Sequence, residues 1–197
     1  LGTVSRIVRK NNHTKVIVVV DNIIPHEKRV GDKLLSKFFV KSVDGFVCMS
    51  KQVFNDLEIL DSKVNKINSY HPIYDNFGKS ITKQQSITNL KLNGDYKHIL
   101  FFGIIRKYKG LDLLIKAFSK LKQEKIRLII AGEFYDNQKY YLDLIKSLDL
   151  DDSIILKNEF IPDDMVVNYF CSCDIVAQPY KSATQSGVTQ IAYHFEK

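Results

Sequence analysis

The stretch from His98 to Phe118, HILFFGIIRKYKGLDLLIKAF, decides how this chain is read. The apolar run 98–102 has the length and make-up of a buried strand and stops at Gly103. Arg106, Lys107 and Lys109 follow around Tyr108. Gly110 then opens a segment whose apolar residues recur at helical spacing, which predicts a helix over 110–122. A basic turn between strand and helix admits two readings. Either it is a solvated loop, or it is a phosphate site where backbone N–H groups near Gly103, a positive helix end, Arg106 and Lys109 converge on a diphosphate. Neither G-x-x-x-x-G-K-[ST] nor G-x-G-x-x-G is present, and the pattern by itself leaves both readings open.

Outward from that turn the alternation continues. Strands are predicted at 126–131, 153–157 and 174–178, and helices at 137–148, 163–171 and 186–195. Upstream, KVIVVVD (15–21) is a β-branched run expected of a strand covered on both faces. Apolar positions 34, 35, 38, 39, 40 and 43 make a helix stripe, 45–49 a short strand, and Ser50 caps a helix over 51–60; a third strand fits within 63–70. Periodicity fades between His71 and Gly94, where HPIYDNFG reads as a crossing segment and one polar helix ends at Gly94. The pattern is α/β with parallel sheets and flanking helices. Its domains are expected at 1–72 and 95–197, joined by 73–94. The opening LGTVSRIVRK reads like the tail of a helix and the last helix ends with its sheet unfinished. Both domains are therefore expected to be incomplete here, with chain upstream of Leu1 and past Lys197.

Of the 197 residues, 45% are hydrophobic and 26% charged, and no apolar run approaches the roughly 20 residues a bilayer span needs. Cys48, Cys171 and Cys173 lack metal-ligand spacing and read as buried reduced thiols of a reducing cytosol. A formal charge of +7 favours an anionic partner, although much of the excess is lysine scattered through an Ile/Asn/Lys-rich chain.

Loops on the predicted ligand edge hold the remaining candidates. Gly132 ends a strand and permits close approach of a ligand or another backbone, with Glu133 just beyond. Ile161-Pro162-Asp163 reads as a helix start with Asp163 in the cap. Ser182 to Ser186 pack hydroxyl and amide side chains ahead of Gly187, forming either a second anion site or a plain cap. Asp21, His26 and Glu27 follow the strand 15–21, where a general base or a loop-capping group would sit. His71 belongs to the crossing segment, while His13, His98 and His194 have no partner in sequence and receive no role. No hydrolase triad, H-E-x-x-H, C-x-x-C or nucleic-acid motif is present, which leaves a nucleotide-sized anion as the favoured ligand.

HILFFGIIRKYKGLDLLIKAF, IRLIIAGEF, NEFIPDDMVVNYFCSCDIVAQPY and SATQSGVTQIAYHFEK together resemble the donor-binding domain of family 4 glycosyltransferases, and VVVDNIIPHEKRVGDKLLSKFFVKSVDGFVCMSKQVFNDL resembles the end of their acceptor domain. The resemblance implies the GT-B arrangement of two Rossmann-like domains. It implies a retaining transfer of a hexose from a nucleotide diphosphate sugar to an acceptor hydroxyl, with no cofactor and no metal. Partners would be the nucleotide sugar, a glycan or lipid-linked acceptor and an anionic membrane surface, without nucleic acid, at the cytoplasmic side of a membrane in polysaccharide or glycolipid synthesis. Lys109 matches the family lysine. Catalytic roles then fall to Arg106, Lys109 and Asp21, and substrate contacts to Gly103, Glu133, Ile161, Thr184, Gln185, Ser186 and Gly187. Four positions depart from the family: Ile104 replaces an arginine, Ala183 and Ile191 replace the E-x7-E glutamates, and Asp21 replaces a histidine. They keep alive the alternative of a non-catalytic nucleotide-sugar binder or partner subunit.

Overall fold

The computed structural model describes residues 1–11, 13–25, 30–121 and 124–197. They form two compact units, Leu1–Pro72 with Ala183–Ser186, and Ile73–Ser182 with Gly187–Lys197.

In the first unit, β1 (Ile17–Val20), β2 (Gly45–Cys48) and β3 (Lys66–Asn68) form a parallel sheet in the order β1-β2-β3. Helices α1 (Gly2–Arg9), α2 (Asp32–Val40) and α3 (Lys51–Leu60) accompany it. Val18 and Val20 pack with Val40, Phe46, Val53 and Leu57, as the two-residue pleat requires. Their neighbours Ile17 and Val19 stay 60% and 63% exposed, so β1 is covered on one face, not two as its continuous apolar run suggested. Ser50 caps α3 as expected, its hydroxyl accepting from the Val53 N–H at 3.3 Å.

The second unit orders its parallel strands β6-β5-β4-β7, with β4 at Lys97–Phe102, β5 at Ile126–Ala131, β6 at Ile154–Lys157 and β7 at Ile175–Val176. Its helices are α4 (Lys83–Asn89), α5 (Leu111–Phe118), α6 (Gln138–Ser147), α7 (Asp163–Ser172) and α8 (Gly187–His194). Successive residues of β4 and β5 face opposite ways. Leu100, Ile129 and Ala131 join Val166, Phe170 and Ile191 of α7 and α8 on one face. Phe101, Leu128 and Ile130 join Leu111, Ile115 and Tyr141 of α5 and α6 on the other. Apolar burial on both faces makes this sheet the stable platform from which its loops project.

Three expectations change. The helix expected over 110–122 is shorter, because Ser119–Leu121 is a 3-10 turn and Gly110 sits left-handed at φ 72°. Strand β7 pairs with β4 only at Ile99–Ile175 and Leu100–Val176, so most of the expected strand 174–178 lies outside the ladder. Asp163 is the first helical residue of α7, not its cap. Pro162 holds the cap position without a side-chain bond, and Asp163 and Asp164 favour the first turn through the helix dipole instead.

Cys48, Cys171 and Cys173 are unpaired and buried. His98, fully enclosed in β4, has no hydrogen-bond partner on either ring nitrogen. Burial, followed by the positive charge of Lys83 and Arg127, holds its imidazole below the usual range. The unfolded chain therefore gains a proton below about pH 6.5 that the folded chain refuses. Stability of the second unit should fall as pH drops from 7 to 5, by up to about 1.4 kcal/mol per pH unit from this group. Urea unfolding of His98→Phe beside the native chain checks this. An identical acid loss in both would refute it.

Candidate functional site

In the second unit the chain lays down β4, moves outward through β5 and β6, and returns to place β7 on the other side of β4. The loops after β4 and β7 therefore leave in opposite directions, and such a reversal opens a crevice at the carboxyl ends of the strands.

The loop after β4 is pinned before it reaches its basic residues. The Gly103 N–H donates to Ala131 O at 2.9 Å and the Ile105 N–H to Glu133 O at 2.8 Å, while Ile105 is fully buried. Gly103 and Gly132 both take positive φ, 88° and 143°. A Cβ on Gly132 would lie 2.6 Å from the Gly103 carbonyl carbon, so what approaches Gly132 is another backbone. Ile104, where the resemblance calls for arginine, is 43% exposed.

The loop after β7 folds over the basic turn. The Lys181 N–H donates to Tyr108 O at 2.7 Å, and Lys181 Nζ pairs with Asp112 at 2.8 Å. A Cβ on Gly110 would lie 3.0 Å from the Pro179 carbonyl carbon. Tyr108 and Tyr180 meet edge to face with ring centroids 6.3 Å apart.

Lys109 is buried by this covering, 9% exposed, with Nζ 5.7 Å from the Tyr180 ring centroid. Nζ also stands 3.3 Å from where a Cβ on Gly103 would be, and Val188 Cγ2 of the first turn of α8 is 3.6 Å from that point. Among the described residues no carboxylate pairs with this ammonium. Burial, then the charge of Arg106, pushes its pKa down to about 8. The Arg106 guanidinium lies 5.4 Å from the Tyr135 ring centroid. A nine-tenths buried cation without a counter-charge is costly, and such a group beside a helix N-terminus is arranged to receive an anion.

Three sequence candidates meet in a slot of about 100 Å³, where Gly103, Glu133 and Ile161 are joined by Phe102, Glu159 and Phe160. Phe160, 68% exposed, and Glu159 were missed in the sequence. An aromatic directly before Ile161-Pro162 was the available signal. Gly187 opens α8 beside Val188. Thr184 and Gln185 go elsewhere, because Ala183–Ser186 belongs with the first unit. There the Thr184 hydroxyl donates to Asp21 O at 3.2 Å and to Asn22 Oδ1, and Gln185 Nε2 donates to the Asp21 carboxylate. Ser186 ends that segment, one residue before α8. Ile191, at the second glutamate position, is 6% exposed in the core. His71 Nδ1 lies 2.9 Å from Pro72 O, a local contact. His26 and Glu27 lie outside the described residues.

Residues 82–188, just over half of the chain, match the family model described as glycosyl transferases group 1. No curated protein matches the chain. Among solved structures, HepE of Anabaena in complex with UDP and glucose superposes with a TM-score of 0.84 at 14% identity, over 100% of this chain and 55% of that one. Sucrose-phosphate synthase from Thermosynechococcus elongatus gives 0.80 at 14% identity, over 95% and 50%. The pneumococcal O-GlcNAc transferase GtfA, solved with UDP and GlcNAc, gives 0.69 at 14% identity, over 95% and 37%. At such identity these likenesses establish the fold, α/β of the GT-B glycosyltransferase type. The chain spans about half the length of the first two structures.

Proposed function

The chain belongs to the glycosyl transferases group 1 family, and on that premise we propose that its protein transfers a sugar from a nucleoside diphosphate sugar to an acceptor hydroxyl. The observation that carries this reading is Lys109, a buried ammonium with no carboxylate partner among the described residues, at the point where the strand order reverses. In the proposed mechanism the diphosphate lies against Lys109, Gly103 and the first turn of α8. Lys109 and Arg106 offset the negative charge that grows on the diphosphate as the sugar leaves, a stabilisation stronger in the transition state than in the ground state. The slot at Gly103, Glu133 and Ile161 takes the flat base. Family 4 membership, a hexose donor, retention of configuration, operation without a metal, and a glycan or lipid-linked acceptor at a cytoplasmic membrane face are the finer parts of the proposal. So is a parent protein longer than this chain, with domains divided near residues 72 and 95. Among the described residues no helix is long and apolar enough to cross a membrane.

Thermal unfolding with UDP, GDP, ADP and their sugars tests the reading. One nucleotide series at about 100 times its dissociation constant should add roughly 2.7 kcal/mol. No shift with any of them would overturn it. The burial of Ile191 in the core, with no carboxylate at that position, favours a second reading as a non-catalytic donor binder. In that case the full-length protein would bind the donor yet neither hydrolyse nor transfer it.

A further inference from the structure

Tyr74 belongs to the crossing segment, and no sequence reading gave it a role. A Cβ on Gly187 would lie 2.8 Å from Tyr74 Cε2 and 3.6 Å from Cζ, so position 187 is glycine because this ring rests on the first turn of α8. The end of the ring in contact is the one that bears the phenol. In the same turn Val188 Cγ2 lies 3.6 Å, and Lys109 Nζ 3.3 Å, from where a Cβ on Gly103 would be. The ring is itself anchored. Phe77 and Ile81 pack against the core shared by α7 and α8, and His194 Nε2 lies 2.9 Å from Gly78 O at the far end of α8. Residues 74–78 thus accompany α8 from its first turn to its last.

We propose that Tyr74 is a positioning residue for the diphosphate: its ring presses the first turn of α8 toward Gly103, so that the N–H groups of that turn and the Lys109 ammonium meet one anion. This rests on the diphosphate reading above and deepens it. The three atoms nearest to a Cβ at Gly187 all belong to the Tyr74 ring. A turn released from the ring would keep its helix but lose its aim, and misplacement of a binding group weakens the group it serves without touching the base.

The test compares the native chain, Tyr74→Ala, Tyr74→Phe and Gly187→Ala by calorimetric titration with UDP, GDP and ADP and with the corresponding nucleosides. Tyr74→Ala and Gly187→Ala, the latter by displacing the ring, should bind the preferred nucleoside diphosphate about tenfold more weakly, while the free nucleoside binds all four alike. Tyr74→Phe, which keeps the ring, should stay within about twofold. If folding of Tyr74→Ala fails, Gly187→Ala carries the comparison. Diphosphate affinity unchanged in Tyr74→Ala and Gly187→Ala would overturn the inference, as would equal losses for diphosphate and nucleoside. Absence of binding by the native chain would instead bring down the diphosphate reading itself, and the inference with it.

Discussion

Lys109→Met should lose at least about a hundredfold in affinity for a nucleoside diphosphate while leaving the unliganded chain as stable as before, or more so. Removing one member of a buried, hydrogen-bonded charge pair costs about 2–5 kcal/mol of binding. The same ammonium, nine-tenths buried and without a carboxylate partner among the described residues, weighs against the folded state. Stability sacrificed at a binding site is returned when the ligand arrives, so the variant should separate the two properties.

The pH dependence follows with its sign. The folded pKa of Lys109 is about 8, below its ordinary 10.5. Between those values the unfolded chain holds one proton more than the folded chain, so stability rises with pH across that window and the penalty is fully present below pH 8. The diphosphate favours the charged lysine. Affinity should therefore weaken as pH climbs through about 8, and binding there should take up a proton. Titration calorimetry in buffers of different ionisation enthalpy measures both. A native pH profile that Lys109→Met also shows would assign the effect to another group.

Gly132→Ala should destabilise the second unit by at least about 3 kcal/mol and remove diphosphate binding with it. Two costs combine. The backbone at φ 143° is one that L side chains rarely adopt, and the new Cβ would stand 2.6 Å from the Gly103 carbonyl carbon. Neither neighbour can yield cheaply, because the Gly103 N–H is tied to Ala131 and the Gly132 N–H to Lys157 O, each at 2.9 Å. Pushing Gly103 away also moves the backbone that faces Lys109. Urea unfolding gives the first quantity and nucleotide titration the second. A loss below about 1 kcal/mol would mean that the two strand ends are not held as tightly as their hydrogen bonds indicate.

Much of the second unit was legible because its signals are local. β5 occupies Ile126–Ala131, the span its β-branched run predicted, and α7 is one residue longer than its stripe suggested. β7 was overextended for a physical reason: after Val176 the chain leaves the ladder and folds over the basic turn, where the Lys181 N–H reaches Tyr108 O. The same crossing explains what the sequence could not display at Lys109. The basic turn by itself left Lys109 open between a solvated loop and a phosphate site, and only the return of Pro179–Lys181, some seventy residues later, buries it. Gly103, Glu133 and Ile161 come together because each follows a strand of one parallel sheet, which the alternation alone implied. Gly187 was read as a substrate contact, and a Cβ there would also meet the ring of Tyr74, a residue of the crossing segment far upstream in the sequence. Thr184 and Gln185 were assigned by proximity in sequence to the helix they precede, whereas their hydrogen bonds run to Asp21 and Asn22.

The three buried cysteines have a use in the laboratory. Cys48 lies in the first unit, and Cys171 and Cys173 in the second, exposed by 0%, 3% and 0%. Burial raises the thiol of Cys48 and lifts that of Cys173 to about 12, so neither offers a reactive thiolate while its surroundings stay closed. An alkylating reagent must wait for the protein to open, which turns each thiol into a clock. Because the two units hold different cysteines, a peptide map of the modified protein would show which half opened first and how often.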